Sequence, residues 1–121
     1  MKKKVLLVDD EPDIVSVFRM ILETHNYQVI MASDGVEGLT KAVKERPDLI
    51  LLDVKMPNKD GFTTLRELKH NDLTKTIPVV MLTVSQDESS MSGCLKDGAT
   101  NYLFKTCDTQ MFLNYIKKYI L

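Results

Sequence analysis

The sequence is poor in the features that mark several classes of protein. It holds two cysteines, Cys94 and Cys107, in 121 residues. They form no CxxC pair, and they are not separated from His25 or His70 by the intervals typical of zinc ligands. Both facts argue against a disulfide framework and against a zinc site. We therefore expect both thiols to be buried or chemically inert. Neither a G-x-G-x-x-G motif nor a Walker A motif is present, which disfavours nucleotide binding.

The chain also lacks an excess of charge of one sign and lacks a long hydrophobic run. There are 16 Lys and Arg against 17 Asp and Glu, so nothing in the charge favours direct binding of nucleic acid or of an anionic membrane. The apolar residues 5–8 follow three lysines as in a signal peptide, but Asp9, Asp10 and Glu11 end that stretch too early. No other run approaches transmembrane length. The sequence predicts a soluble, cytoplasmic protein with no membrane partner.

Short apolar runs alternate with helix-length intervals, and no linker, repeat or low-complexity tract interrupts them. The size and pattern predict one domain over residues 1–121. Five strands are predicted, at 4–9, 28–32, 49–53, 78–83 and 101–104. Strict alternation requires right-handed crossovers and a parallel sheet covered on both faces, with either a Rossmann-type or a flavodoxin-like winding.

Helical spacing of apolar residues predicts a helix after each strand. The first begins with the acid–proline–acid sequence at 11–13, a helix-start signature, and should end near Asn26. The fourth is Ser-rich and the least well defined. The residues that mark the five helices are Ile14, Phe18, Ile21 and Leu22; Val36, Leu39, Ala42 and Val43; Phe62, Leu65 and Leu68; Met91, Cys94 and Leu95; and Met111, Tyr115, Ile116, Tyr119 and Ile120.

Polar residues stand where the predicted strands end. In open α/β sheets the ligand crevice lies beyond the carboxyl ends of the strands, and these ends carry Asp9 with Asp10, Asp53, Thr83 and Lys105. A flavodoxin-like order would bring all five together. Each alone is ordinary, as a polar turn, a strand residue or a solvated lysine. Their joint placement indicates a site.

The residue types at these strand ends suit phosphoryl transfer. Three neighbouring carboxylates repel one another unless a cation joins them, and Mg²⁺ prefers such oxygen ligands. Lys105 would add a positive charge and Thr83 a hydroxyl donor for phosphoryl oxygens. A carboxylate nucleophile with these partners is the equipment for forming an aspartyl phosphate.

Four stretches resemble the signature segments of bacterial response-regulator receiver domains, including the chemotaxis-regulator-like ones. They are VLLVDDEPDI, DLILLDVKMPNKDG, PVVMLT and DGATNYLFK. They occur in the family's order and span essentially the whole chain. The resemblance implies a flavodoxin-like sheet of order 2-1-3-4-5 with five helices, working in two-component signalling.

The resemblance also implies roles for individual residues. Asp53 is the phosphate acceptor. Asp10, the Asp53 carboxylate and the backbone carbonyl of Lys55 bind Mg²⁺ or Mn²⁺ directly, whereas Asp9 acts mainly through a metal-bound water. Met56, Pro57, Asp60 and Gly61 are expected to have a structural role: they shape the following loop and cap the third helix, where Gly61 allows a backbone conformation that other residues resist.

Thr83 and Lys105 then bind the phosphoryl group, and Tyr102 occupies the family's aromatic switch position. The alternative for Tyr102 is an aromatic ring simply packed at the sheet edge.

Two residues of this chain differ from the ones that are usual in the family. Thr106 replaces the usual proline after Lys105, and we expect a trans peptide there; Val84 adds bulk beside the site.

The function that follows is a signalling switch, not an enzyme acting on an external substrate. A sensor histidine kinase or histidine phosphotransfer protein would supply the phosphoryl group. The face formed by the fourth helix, fifth strand and fifth helix would signal to a downstream effector domain or protein, and phosphorylation could promote dimerisation. One alternative is an aspartyl-phosphate phosphatase, but the D-x-D motif of that family is missing here. The other alternative is a phosphate-independent binding module, which the departures at Val84 and Thr106 would be compatible with.

Overall fold

The structure is a computed structural model that describes residues 2–54, 56, 59–83, 96, 98–105 and 108–120. Several sequence predictions fall outside these residues. They concern Lys55, Val84, the fourth helix with its markers Met91, Cys94 and Leu95, the thiol of Cys107, and the Lys105-Thr106 peptide bond.

Five parallel strands form one sheet in the order β2-β1-β3-β4-β5. The flavodoxin-like order is therefore confirmed. The strands are β1 Lys4–Val8, β2 Gln28–Ala32, β3 Leu49–Asp53, β4 Val79–Thr83 and β5 Asn101–Phe104. All five residues of β3 and of β4 are buried, as expected for strands that are covered on both faces.

Four helices lie in the described part of the chain, and the last of them is the predicted fifth helix. They are α1 Pro12–Thr24, α2 Gly35–Glu45, α3 Gly61–Lys69 and α4 Thr109–Tyr119. The side chains of Asp34, Asp60 and Asp108 each accept a hydrogen bond from the backbone N–H three residues later. These N-caps fix where α2, α3 and α4 begin. No helix within the described residues has the length and apolar character needed to cross a membrane.

Alternate residues of the strands point into two separate cores. One core contains Leu7 of β1 together with Phe18 of α1 and Phe112 of α4, whose rings stack with centroids 4.5 Å apart. The other contains Leu6 of β1 and Leu65 of α3. Because the sheet is closed on both faces, its carboxyl edge remains as the polar opening.

Some sequence predictions about the elements were wrong in detail. β1 ends at Val8, so Asp9 lies just beyond it. Pro78 precedes β4, and its carbonyl accepts the Ile50 N–H. α1 ends at Thr24, near Asn26 as predicted: Asn26 has a positive φ of 69°, and a left-handed residue does not continue a right-handed helix.

The predicted buried faces of α2 and the last helix are confirmed at Ala42, Ile116 and Ile120, which are all buried, but one predicted residue in each helix is exposed. Val36 and Met111, expected to mark those faces, are 53% and 48% exposed. In α4 the fully buried ring belongs to Phe112, and Leu113 is buried beside it. Met111 and Phe112 are adjacent and both apolar, so spacing alone did not decide which of the two is buried.

Replacing Phe112 should therefore affect stability far more than replacing its neighbour. We expect Phe112→Ala to lower the free energy of unfolding by about 3–5 kcal/mol, because it leaves a cavity and removes the stacking partner of Phe18. The control Met111→Ala should change it by less than about 0.5 kcal/mol. Urea denaturation followed by circular dichroism measures both values, and equal losses would contradict the observed helix orientation.

Candidate functional site

The polar residues at the carboxyl edge are held by backbone pairing between neighbouring strands. Val8 pairs with Leu52, and Asp53 pairs with Leu82. Asp9 follows Val8 directly, and its N–H donates to the Ala32 carbonyl at 3.0 Å. This register places Asp9 and Asp53 at the same level of the sheet, as the strand-end pattern predicted.

The carboxylates of Asp9, Asp10 and Asp53 form a compact acidic cluster. Each offers an oxygen atom within 4.8 Å of the others. Asp9 and Asp53 are both 3% exposed, whereas Asp10 is exposed. The cluster thus has a buried base and one member that faces solvent.

Lys105 brings its ammonium group to the buried part of this cluster. Its Nζ lies 2.9 Å from Asp9 Oδ2 and 3.1 Å from Asp53 Oδ2. Neither oxygen meets the angles of a directed hydrogen bond, so we treat both contacts as ion pairs, which depend mainly on distance. The lysine backbone is fixed as well, since its N–H donates to the Thr83 carbonyl at 2.9 Å.

Burial and charge act in opposite directions on the pKa of Lys105. Burial alone would lower it, because the charged form loses its hydration. The hydrogen bond to Glu11, the contact with Asp9 and the charge of Asp53 together outweigh burial and raise the pKa well above its ordinary value. Lys105 is therefore a fixed positive charge at any physiological pH.

The predicted switch residues also lie on the strands that flank this site. Thr83 is the last residue of β4 and is 8% exposed. Tyr102, on β5, is partly buried and packs edge-on against Phe104, with ring centroids 6.1 Å apart. Lys55, the predicted carbonyl ligand, lies outside the described residues.

Gly61 is needed at the start of α3 for a reason that differs from the prediction. It is not among the described glycines with positive φ. Instead, a Cβ atom on Gly61 would lie 2.1 Å from the Asp53 carbonyl oxygen and 2.9 Å from the Val54 Cα. Glycine is required because the helix start passes so close to the backbone of Asp53.

Sequence reasoning missed one member of the site, Glu11. Its Oε1 lies 2.7 Å from Lys105 Nζ, closer than either buried aspartate oxygen. The sequence around Glu11 indicates only the start of a helix. The available signal was a third consecutive acid beside a site that contains one lysine.

The donor set fits a divalent cation, as the sequence predicted. Among the described residues, the acidic cluster and the half-exposed Glu11 provide four carboxylates, whereas Lys105 provides one ammonium group, so negative charge is in excess. Oxygen ligands with one exposed member suit Mg²⁺, which keeps several water ligands. The cluster therefore has both the charge and the donor atoms that such an ion requires.

A parallel sheet of this order, with an acidic cluster and Lys105 at its carboxyl edge, defines a flavodoxin-like domain whose polar edge has the donor atoms for a metal ion. The family model described as the response regulator receiver domain matches residues 5–117. The chain belongs to that family, whose members act in two-component signalling.

Two curated relatives illustrate how the domain is used in longer and shorter proteins. The alkaline phosphatase synthesis transcriptional regulatory protein PhoP of Bacillus subtilis is 44% identical over 87% of this chain, which spans only 43% of PhoP. Protein PilH of Pseudomonas aeruginosa is 34% identical, and the match covers 93% of each chain.

A solved structure agrees with the fold and with the metal fit. The receiver domain of sensor histidine kinase PA1611 from Pseudomonas aeruginosa matches with a TM-score of 0.92 and 27% identity, over 99% of this chain and 98% of that one. That structure has a magnesium ion coordinated in its active site cleft. Receiver domains bind Mg²⁺ at an acidic pocket of this kind.

Mg²⁺ should stabilise the protein by binding to the folded state. We expect added Mg²⁺ to raise the melting temperature, and Asp10→Asn to remove most of that response. Without metal, Asp10→Asn should melt at the same or a higher temperature, because one repelling charge is gone. Differential scanning fluorimetry with and without Mg²⁺ measures both effects. An unchanged Mg²⁺ response in Asp10→Asn would show that the ion binds elsewhere.

Proposed function

We propose that this receiver domain catalyses the transfer of a phosphoryl group onto its own Asp53. The donor is a phosphohistidine of a sensor histidine kinase or a histidine phosphotransfer protein. The observation that carries the proposal is the buried Asp53 carboxylate, 3.1 Å from the Lys105 ammonium and within 4.8 Å of two further carboxylates. A buried nucleophile beside a fixed positive charge is typical of a site that forms an acyl phosphate.

In the transfer step an Asp53 carboxylate oxygen attacks the phosphorus atom. An O–P bond forms and the P–N bond to the donor imidazole breaks. The electron pair of that bond passes to the imidazole nitrogen, which takes up a proton from solvent. Lys105 and the Thr83 hydroxyl stabilise the charge on the equatorial phosphoryl oxygens, so this chain contributes mainly position and electrostatics.

The metal ligands in this proposal are Asp10, the Asp53 carboxylate and the Lys55 carbonyl, with Asp9 acting through water. A bound Mg²⁺ or Mn²⁺ supplies positive charge that offsets the phosphoryl oxygens and the acidic cluster. Asp9 is the least suited to direct ligation, since its Oδ1 accepts the Glu11 N–H at 2.9 Å and its Oδ2 pairs with Lys105.

Hydrolysis of the acyl phosphate resets the switch, and contacts made only with the phosphoryl group drive its output. Thr83 moves towards the phosphoryl group and Tyr102 turns inward. The output face consists of the predicted fourth helix, β5 and α4. It would meet an effector domain or protein, or a second copy of the chain, in the cytoplasm.

The phosphate-independent alternative depends on Val84 and Thr106, which lie outside the described residues. It gains no support from the site geometry. A small phosphodonor separates the two functions, because only the proposed switch becomes covalently labelled.

Acetyl phosphate with Mg²⁺ should add one phosphoryl group to the protein, as measured by intact-mass spectrometry. Asp53→Asn should abolish this labelling, because an amide is not a nucleophile here. The control Asp72→Asn removes a charge from a side chain that is 91% exposed and should label like the wild type. Full labelling of Asp53→Asn would refute the assignment, and no labelling of the wild type would refute the proposed function.

A further inference from the structure

Glu11 occupies an N-cap position but does not cap its helix. The three other described helices begin with an aspartate whose side chain accepts a backbone N–H, whereas Glu11 at the start of α1 makes no such hydrogen bond. Its carboxylate instead accepts a hydrogen bond from Lys105 Nζ, 94 residues later in the chain, at 2.7 Å. The side chain at the position that usually caps a helix thus binds Lys105 in the site instead.

The contact with Glu11 differs from the other contacts of Lys105 in its exposure. The side chains of Asp9 and Asp53 are 0% and 4% exposed, whereas that of Glu11 is 53% exposed. A buried carboxylate that lost its cation would be left uncompensated at a large free-energy cost. An exposed carboxylate that loses a cation is simply hydrated, so its ion pair contributes little.

A phosphoryl group on Asp53 would bring further oxygen atoms to Lys105 Nζ. Three carboxylate oxygens already lie within 3.1 Å of Nζ, so anions closely surround the ammonium group. A phosphoryl oxygen can come within hydrogen-bond distance of Nζ only if one of these oxygens moves away. Asp9 is further anchored by the Glu11 N–H at 2.9 Å, and Asp53 carries the group itself. The Glu11 carboxylate is the contact that can be released.

We propose that Glu11 is a positioning residue that holds Lys105 in the unphosphorylated state and releases it to the phosphoryl group. This inference rests on the proposed function, because it assigns to the same site the contact that is exchanged. Glu11 thereby opposes phosphorylation slightly, through the contact that is lost and through repulsion of the incoming anion. Removing its charge should favour the phosphoryl-bound state.

Beryllofluoride, a non-covalent mimic of the phosphoryl group, tests this exchange at saturating Mg²⁺. Its dissociation constant can be measured by following backbone amide NMR shifts during a titration. We expect Glu11→Gln to bind beryllofluoride about two- to fivefold more tightly than the wild type, the range that corresponds to a half-exposed ion pair. The matched control is Asp13→Asn, which removes the same charge from an exposed residue in the first turn of the same helix. It should bind like the wild type.

A second readout follows Lys105 in the ligand-free protein. The ¹⁵N signal of its Nζ, identified by its loss in Lys105→Arg, should shift in Glu11→Gln and stay unchanged in Asp13→Asn. Unchanged or weaker beryllofluoride binding in Glu11→Gln, or an equal gain in Asp13→Asn, would overturn the inference. Failure of the wild type to bind beryllofluoride would overturn the proposed function and this inference with it, whereas the Lys105 signal would still show whether Glu11 contacts the lysine.

Discussion

The ammonium of Lys105 lies between the buried carboxylates of Asp9 and Asp53, at 2.9 and 3.1 Å. Two carboxylates this deeply buried repel each other and lose hydration, so without a cation their burial would be strongly unfavourable. The same charge is suited to a phosphoryl group. The interaction that permits the acids to be buried is therefore also the one that would support the proposed phosphoryl transfer.

The rest of the fold holds this ion pair in place through the backbone. Lys105 donates to Thr83 at the end of β4, Val54 donates to Leu82, and Asp9 donates to Ala32. Gly61 allows α3 to begin against the carbonyl of Asp53, where any side chain would collide. The buried members of the site are thus fixed by paired strands. Its exposed members, Asp10 and Glu11, remain accessible to a metal ion and to water.

Most of the fold and much of the site could be predicted from the sequence. The apolar strands and their polar ends follow from local patterning, and Asp9, Asp10, Asp53 and Lys105 do lie together at one edge. Ile116 of α4 is buried as predicted, but the choice between Met111 and Phe112 could not be predicted, because both are apolar and only packing against Phe18 selects between them. The requirement for Gly61 depends on a close approach that involves no unusual φ. The role of Glu11 depends on a contact with a residue distant in sequence. These features arise from tertiary distances, which local patterns do not contain.

We expect Asp53, and not a neighbouring acid, to form the acyl phosphate. Borohydride reduces an aspartyl phosphate to homoserine, which marks the phosphorylated residue permanently. After treatment with acetyl phosphate and Mg²⁺ and then with borohydride, peptide mapping by tandem mass spectrometry should find homoserine at position 53. Homoserine at position 9 or 10 instead, or at no position, would contradict the account.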